Sequence, residues 1–195
     1  MSFFSRIFSP AKRNPPSVLI KPEWMPSARM KRVILHWTGG SYVASSLDKE
    51  HYHFLVDGDL ELLRGLHPVS ANEFIGQKTQ DEYAAHTRGT NTGAIGISIC
   101  GSAGASERPF SPGKFPIKEA QWQLAAEATA ALCKRYGIPV TDKTVLTHAE
   151  VQSNLGIKQN GKWDIAKLIF GKSLNTAKAC GDDFRRRVRN AMEVM

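Results

Sequence analysis

Three residues of this sequence have the side-chain types and the placing of a metal site. His36 and His148 each end a short apolar run, and Asp164 follows the second histidine beyond a glycine-containing segment. Two imidazoles and one carboxylate give zinc three protein ligands and leave a fourth tetrahedral position for water, as in catalytic zinc sites. The spacing by itself favours a different interpretation, in which the histidines are hydrogen-bonded core residues and Asp164 is the N-cap of a helix.

Short elements would have to hold these three residues in place. Residues 33–37 form an apolar run around the first histidine and predict a buried strand, and residues 145–147 predict a second strand that leads into His148. Residues 164–170 predict a short helix that stops before Gly171. Each candidate ligand is therefore expected at the end of an element.

The rest of the pattern predicts a sheet with helices packed on it. Residues 52–56 and 60–64 are joined by Asp-Gly-Asp and predict an antiparallel hairpin, while residues 94–100 predict a further strand rich in β-branched residues. Residues 43–50 predict a helix, and residues 117–136 predict a longer one because apolar side chains recur there at helical spacing. We therefore expect an α/β fold, a single domain with a central mixed β-sheet flanked by helices.

The positive charge of the chain is concentrated at its two ends. The 195 residues carry 26 Lys and Arg against 18 Asp and Glu, which gives a formal net charge of +8. Residues 33–171 are close to neutral, because the basic excess lies in residues 1–32 and 172–195. Such an excess fits an anionic partner. We expect no nucleic acid, because the sequence has no patterned aromatic platform or recognition motif.

Two appendages flank the predicted domain, which we place at residues 31–171. Residues 1–30 hold five prolines and are expected to form a basic N-terminal arm. Residues 172–195 are expected to form a basic tail with an amphipathic helix, since Phe184 and Val188 recur at helical spacing among arginines. The apolar face of this helix either rests on an anionic surface or, as we favour, packs on the domain.

The cysteines and the apolar runs indicate the compartment of synthesis. Three cysteines are too few and too scattered for a disulfide framework. The sequence shows no signal-peptide core and no apolar stretch of about 18 residues. We therefore expect synthesis in the cytoplasm without a signal peptide.

Four segments of the chain together carry a family resemblance. They read Val-Ile-Leu-His-Trp-Thr from residue 33, Tyr-His-Phe-Leu-Val-Asp-Gly-Asp from residue 52, the segment from His86 to Ile-Gly-Ile-Ser, and Leu-Thr-His-Ala-Glu-Val followed by Gly-Lys-Trp-Asp. In this order they resemble the type 2 family of zinc-dependent N-acetylmuramoyl-L-alanine amidases, which includes phage lysozyme-like amidases and peptidoglycan recognition proteins. The resemblance implies the mixed-sheet fold of that family.

The resemblance implies roles for five residues. His36, His148 and Asp164 match the metal ligands of the family. Tyr52 matches a tyrosine that many phage members place beside the metal, and Lys162 matches a lysine two residues before the third ligand. A phenol and an ammonium in those positions would stabilise the oxyanion and orient the attacking water.

Five more polar residues lie in the same segments. His86 and Asn91 match a loop at the floor or rim of the substrate groove, and we expect them either to bind substrate or to shape the turn. Ser98 stands where members that recycle wall fragments carry a glutamate as the general base, which favours the tyrosine arrangement here. Glu150 is expected to support the site or lie on the surface. His53 should point away from the metal, because side chains alternate along a strand.

The function implied by the resemblance is zinc-dependent hydrolysis of the amide bond between N-acetylmuramic acid and L-alanine in bacterial peptidoglycan. We expect a bacteriolytic phage or prophage endolysin, a monomer that reaches the wall after release from the cell and touches the anionic envelope with its basic ends. The alternatives are a cytoplasmic amidase that recycles muropeptides and a non-catalytic peptidoglycan-binding module, which the intact ligand set opposes.

Overall fold

A five-stranded mixed sheet forms the centre of the protein. The computed structural model describes residues 20–73 and 82–195, so most of the predicted N-terminal arm lies outside the described residues. The strands are β1 (Arg32–Trp37), β2 (Phe54–Val56), β3 (Leu62–Arg64), β4 (Ala94–Ile99) and β5 (Val145–Thr147). Their order across the sheet is β3-β2-β4-β1-β5. Only the β2–β3 hairpin at one edge is antiparallel, so the predicted mixed sheet is confirmed.

Residues 20–73 and 82–195 contain four α-helices besides the sheet. They are α1 (Ser46–His51), α2 (Glu119–Tyr136), α3 (His148–Leu155) and α4 (Ala177–Met192). The predicted long helix is confirmed as α2, and it ends where Gly137 adopts a left-handed conformation with φ of 64°. Within the described residues, no helix combines the length and the apolar character that crossing a bilayer requires.

The two faces of the sheet pack against different parts of the protein. Val33 and Leu35 of β1 point into the main apolar core, where they meet side chains of α2 and α4. Ile34 and His36 alternate with them and point to the opposite face. Ile34 packs there with Val151 of α3, so one face of the sheet holds the core and the other is free to build a site.

The C-terminal helix α4 is part of the core. Its residues Cys180, Phe184, Val188 and Ala191 are buried in the same cluster as the sheet and α2. The apolar face therefore packs on the domain, which is the favoured alternative of the two that the sequence left open. The helix begins at Ala177, where the side chain of Thr176 caps it by accepting a hydrogen bond from the backbone N–H of Ala179.

The prediction of a helix over residues 164–170 is wrong. That segment contains turns, and its backbone bonds are not helical, since the N–H of Leu168 donates to the carbonyl of Leu174. Ile165, Ala166 and Leu168 are all buried. Their apolar side chains follow one another at a spacing that also occurs on one face of a helix, and this spacing misled the prediction. Asp164 caps no helix, because its carboxylate turns toward two histidines instead.

Helix α3 was missed by the sequence analysis. It begins at His148, directly after β5, and ends where Gly156 adopts φ of 72°. The pattern Thr147-x-x-Glu150 could have revealed it, because Glu150 accepts a hydrogen bond from the backbone N–H of Thr147 at 3.0 Å. The strand thus passes into the helix without a loop.

Candidate active site

The sheet brings the two candidate histidines together at the carboxyl ends of neighbouring parallel strands. Leu35 pairs with Thr147 in the β1–β5 register, so the residues that follow them, His36 near the end of β1 and His148 at the start of α3, lie side by side. Asp164 joins them from the turn after α3, where its backbone carbonyl accepts a hydrogen bond from the N–H of Ala149 at 2.6 Å. Three elements distant in sequence therefore meet at one point.

The donor atoms of these three residues converge on a small volume. The Nδ1 atoms of His36 and His148 lie 3.1 and 3.2 Å from the same oxygen, Oδ2 of Asp164. The potential ligand atoms all lie within 4.8 Å of one another. His36, His148 and Asp164 are 0%, 5% and 7% exposed. Such a buried cluster of two nitrogens and one oxygen has the composition of a catalytic zinc site.

The second nitrogen of each ring already has a partner. Nε2 of His148 lies 2.9 Å from Oε1 of Gln159, and the amide nitrogen of that glutamine donates to the carbonyl of Arg88. The amide oxygen can only accept a hydrogen bond, so Nε2 of His148 donates to it, and Nδ1 is the nitrogen left to bind a metal. Nε2 of His36 lies 3.1 Å from the hydroxyl of Thr87. Both Nδ1 atoms are thus directed toward Asp164.

The electrostatics of the cluster favour the protonation states that bind metal. Burial lowers the pKa of His36 to about 4, against the opposing effect of its hydrogen bond to Asp164. Burial alone would raise the pKa of Asp164, but hydrogen bonds from His148 and His36 lower it to about 2. His36 is therefore neutral and Asp164 ionised at neutral pH, as metal coordination requires.

Tyr52 stands beside the first histidine. Its ring centroid is 5.1 Å from that of His36, and it follows the last residue of α1. Burial and, to a smaller extent, the negative charge of Asp164 raise the pKa of the phenol. The hydroxyl therefore keeps its proton at neutral pH and is able to donate a hydrogen bond.

A cleft of about 690 Å³ opens over the cluster. Lys162 lies exposed on its border, and its positive charge adds to the larger effect of burial in lowering the pKa of His36. The residues that line the cleft include Trp37, Tyr52, Tyr83, Arg88, Asn91 and Asn160. The structure thus brings Tyr52 and Lys162 to the cleft that His148 and Asp164 also line, with His36 buried beside them.

His86 and Asn91 border the cleft but are also engaged within the protein. The side-chain oxygen of Asn91 accepts hydrogen bonds from the backbone N–H groups of His86 and Thr87, at 3.1 and 2.7 Å. The ring of His86 is buried and contacts the hydroxyl of Thr87. These bonds show how both residues shape the turn, and contact with substrate remains a prediction.

Two further polar residues, His53 and Glu150, lie outside the group of three candidate ligands. His53 accepts a hydrogen bond at Nδ1 from the backbone N–H of Gly96 and lies outside the metal-binding group. Both carboxylate oxygens of Glu150 are held by Arg185, and one of them also caps Thr147. Glu150 is therefore a supporting residue and does not face the cleft as a base.

Thr87 and Gln159 were not found from the sequence. Thr87 directly follows His86, in one of the segments that carry the resemblance, so its position was a weak signal. Gln159 lies in a polar stretch with no periodicity. Its importance depends on the fold, which brings its amide to His148.

Known proteins resemble this chain in sequence and in fold. The family model for N-acetylmuramoyl-L-alanine amidase matches residues 26–166. No curated protein matches the chain. The Staphylococcus aureus hydrolase AmiA, solved with its ligand, is similar with a TM-score of 0.51 and 16% identity, over 86% of this chain and 77% of that chain.

Two other solved structures are similar at lower TM-scores. The Ph2119 endolysin of a Thermus scotoductus bacteriophage gives a TM-score of 0.48 and 15% identity, over 84% of this chain and 88% of that chain. The E. coli N-acetylmuramyl-L-alanine amidase AmiD gives 0.41 and 20%, over 71% of this chain and 52% of that chain. Since the family model covers well over half of the sequence, the chain belongs to the N-acetylmuramoyl-L-alanine amidase family and is an amidase of bacterial peptidoglycan.

Proposed function

We propose that the enzyme is a zinc-dependent hydrolase that cleaves the amide between the lactyl group of N-acetylmuramic acid and the L-alanine of the stem peptide. The observation that carries this proposal is the convergence of Nδ1 of His36, Nδ1 of His148 and Oδ2 of Asp164 below the cleft. The second nitrogen of each histidine is bound elsewhere, so the three atoms are available to a metal.

The donor set suits zinc in number, type and spacing. Zinc takes two imidazole nitrogens and a carboxylate oxygen in many hydrolases and keeps the fourth position open. Oδ2 of Asp164 lies 3.1 and 3.2 Å from the two Nδ1 atoms, and all three donor atoms lie within 4.8 Å of one another, so His36, His148 and Asp164 would be able to hold one ion together. When bound, zinc supplies Lewis acidity that polarises the scissile carbonyl and acidifies a water molecule.

The side chains of this protein would divide the remaining work. Tyr52 donates a hydrogen bond to the carbonyl oxygen as that oxygen gains negative charge, and Lys162 contributes positive charge from the border of the cleft. The carbon–nitrogen bond breaks, the oxygen of water stays on the lactyl carbonyl carbon, and the alanine nitrogen leaves as an amine with a proton from that water. The products are a free carboxylate and a new L-alanine amino terminus.

The test is to incubate the purified protein with bacterial cell walls, with and without a chelator, and to measure new L-alanine amino termini. We expect their release to stop with the chelator and to return on adding zinc. His148→Ala and Asp164→Ala should lose both stoichiometric zinc and activity. Full activity in either variant would contradict the ligand assignment, and release of reducing sugars instead would indicate a glycosidase.

We also propose that the enzyme is a monomeric phage or prophage endolysin that acts on the polymeric wall. Support comes from Ser98, which pairs with His36 across β4 and β1 and stands where the recycling members carry glutamate. The assay compares kcat/KM on insoluble sacculi with kcat/KM on a soluble anhydro-muropeptide. Preference for the sacculi supports the lytic role, and preference for the soluble fragment would favour the recycling alternative.

A further inference from the structure

A buried arginine of the C-terminal helix reaches the element that carries His148. Arg185 lies in α4, beyond residues 26–166 that the family model matches. Its side chain is 3% exposed, and the side chain of its partner Glu150 in α3 is 2% exposed. The pair is bidentate, with Nη1 donating to one carboxylate oxygen at 3.0 Å and Nη2 to the other at 2.9 Å.

This ion pair fixes the junction between β5 and α3. The same Nη1 of Arg185 donates to the carbonyl of Val145 at 2.9 Å, and Glu150 accepts from the backbone N–H of Thr147 at 3.0 Å. His148 is the next residue after Thr147 and the first of α3. One guanidinium thus binds the start of β5, and through the carboxylate it also holds the residue that precedes a candidate metal ligand.

The backbone of α4 is shaped to admit the carboxylate. A Cβ atom at Gly181 would lie 2.0 Å from Oε2 of Glu150, so only glycine allows this approach. The neighbouring Asp182 accepts a further hydrogen bond from Arg185 at 2.8 Å. The contact is therefore built into α4 over a full turn.

A buried ion pair is a poor way to gain stability, because removing two charges from water offsets much of their attraction. A charged pair held in one geometry suits the placing of a neighbouring group better. We infer that Arg185 is a positioning residue that acts through Glu150 to set the backbone of His148 and with it the geometry of the metal site. This inference rests on the proposed zinc site.

The experiment measures the zinc dissociation constant of the full-length protein by competition with a chromophoric chelator. Arg185→Met should raise this constant about 10- to 100-fold, the usual effect of losing a group that orients a ligand. Arg187→Met is the matched control, because Arg187 lies on the same helix and binds Glu119 and Gln123 of α2 instead. Its zinc dissociation constant should stay unchanged.

A double variant separates positioning from folding. Arg185→Met leaves the Glu150 carboxylate buried without its cation, which should lower the urea midpoint, whereas E150Q combined with R185M removes that charge and should recover much of the midpoint. The zinc affinity of the double variant should stay weak, and this would support positioning even if the single variant failed to fold. Recovery of zinc affinity together with stability, or an unchanged affinity in both variants, would overturn the inference. A wild-type protein that bound no zinc would instead overturn the proposed function beneath it.

Discussion

In both His36 and His148, one ring nitrogen faces the candidate metal site and the other binds a neighbouring side chain. Nδ1 of each points to Asp164, while Nε2 is held by Thr87 or Gln159. A partner on the far nitrogen selects the tautomer and fixes the ring, so it affects metal binding without touching the metal.

Gln159→Leu is expected to weaken zinc binding about 10- to 100-fold, because the ring of His148 loses its hydrogen-bond acceptor. The dissociation constant is measured by chelator competition. Gln123→Leu is the control, since Gln123 binds Glu127 and Arg187 on the outer side of α2. A Gln159→Leu variant with wild-type affinity would show that packing alone holds the ring.

Tyr52→Phe is expected to lower kcat by about 100-fold or more, because one preorganised donor to the developing oxyanion is removed. The zinc content and KM should stay close to those of the wild type. Steady-state kinetics and metal analysis check both. Tyr136→Phe serves as the control, since the hydroxyl of Tyr136 donates to the carbonyl of Pro26 outside the cleft. Equal loss in both variants would argue against a role in the reaction.

At the scale of elements, strand β4 supports the site because Gly96 has no side chain and leaves room for a neighbouring ring. An added Cβ at Gly96 would lie 2.6 Å from the ring of His86. That ring contacts Thr87, which in turn binds His36. The close packing of the His86 ring on β4 therefore fixes Thr87, and through Thr87 it helps to fix the ring of His36.

Gly96→Ala should lower the free energy of unfolding by about 1–3 kcal/mol, because the new methyl group overpacks against the ring of His86. Urea unfolding measures the change. In a His86→Ala background the same methyl group has room, so the penalty should be smaller there. An identical penalty in both backgrounds would place its cause elsewhere.

The elements differ in how well the sequence predicted them. The strands around His36 and before His148 were confirmed, and both are short runs rich in β-branched and other apolar residues, as is typical of a buried strand. The helix over residues 164–170 was wrong and α3 was missed. Residues 164–170 are buried on one side, and such burial produces the same apolar spacing in an irregular segment as in a helix. Helix α3 was missed because it starts at the site, so its first turn carries polar residues and lacks the apolar pattern of a helix.

At the scale of the whole molecule, most basic side chains of the C-terminal segment bind carboxylates or carbonyls of the protein itself. Arg185 pairs with Glu150, Arg187 with Asp183 and Glu119, and Arg189 donates to the carbonyl of Val140. These bonds fasten α4 to α2, α3 and the loop before β5. The helix therefore contributes to the fold first, and less of its charge than the composition suggests is free for an anionic envelope.

The contact of α4 with α2 should make the stability of the protein depend on pH. Asp183 accepts hydrogen bonds from Trp122 at 2.9 Å and from Arg187 at 2.8 Å, and it also pairs with Arg186. Burial opposes ionisation of Asp183, but these partners outweigh it and lower the pKa. A lowered folded-state pKa gives stability that is present above the ordinary carboxylate pKa and is lost as the pH falls through the folded value.

Asp183→Asn is therefore expected to lower the free energy of unfolding by about 1–3 kcal/mol at pH 6, since charged hydrogen bonds are lost. The difference from the wild type should shrink below about pH 4, where the wild-type carboxylate also becomes protonated. Urea unfolding across this range checks it. Asp142→Asn, at an exposed carboxylate, should show no such convergence. A difference that stayed constant with pH would mean that the charge of Asp183 is unimportant.

The sequence by itself determined the chemistry of this protein and the class of its fold. The resemblance of four segments to an amidase family indicated two imidazoles and a carboxylate as metal ligands, which their spacing alone did not, and the apolar patterns predicted a mixed sheet with helices. Only the tertiary structure decided how the site is held: that Gln159 and Thr87 orient the histidines, that Glu150 turns away to Arg185, and that α4 belongs to the core. These contacts join residues far apart in the chain through hydrogen bonds and packing, and no local pattern encodes which distant side chain will arrive.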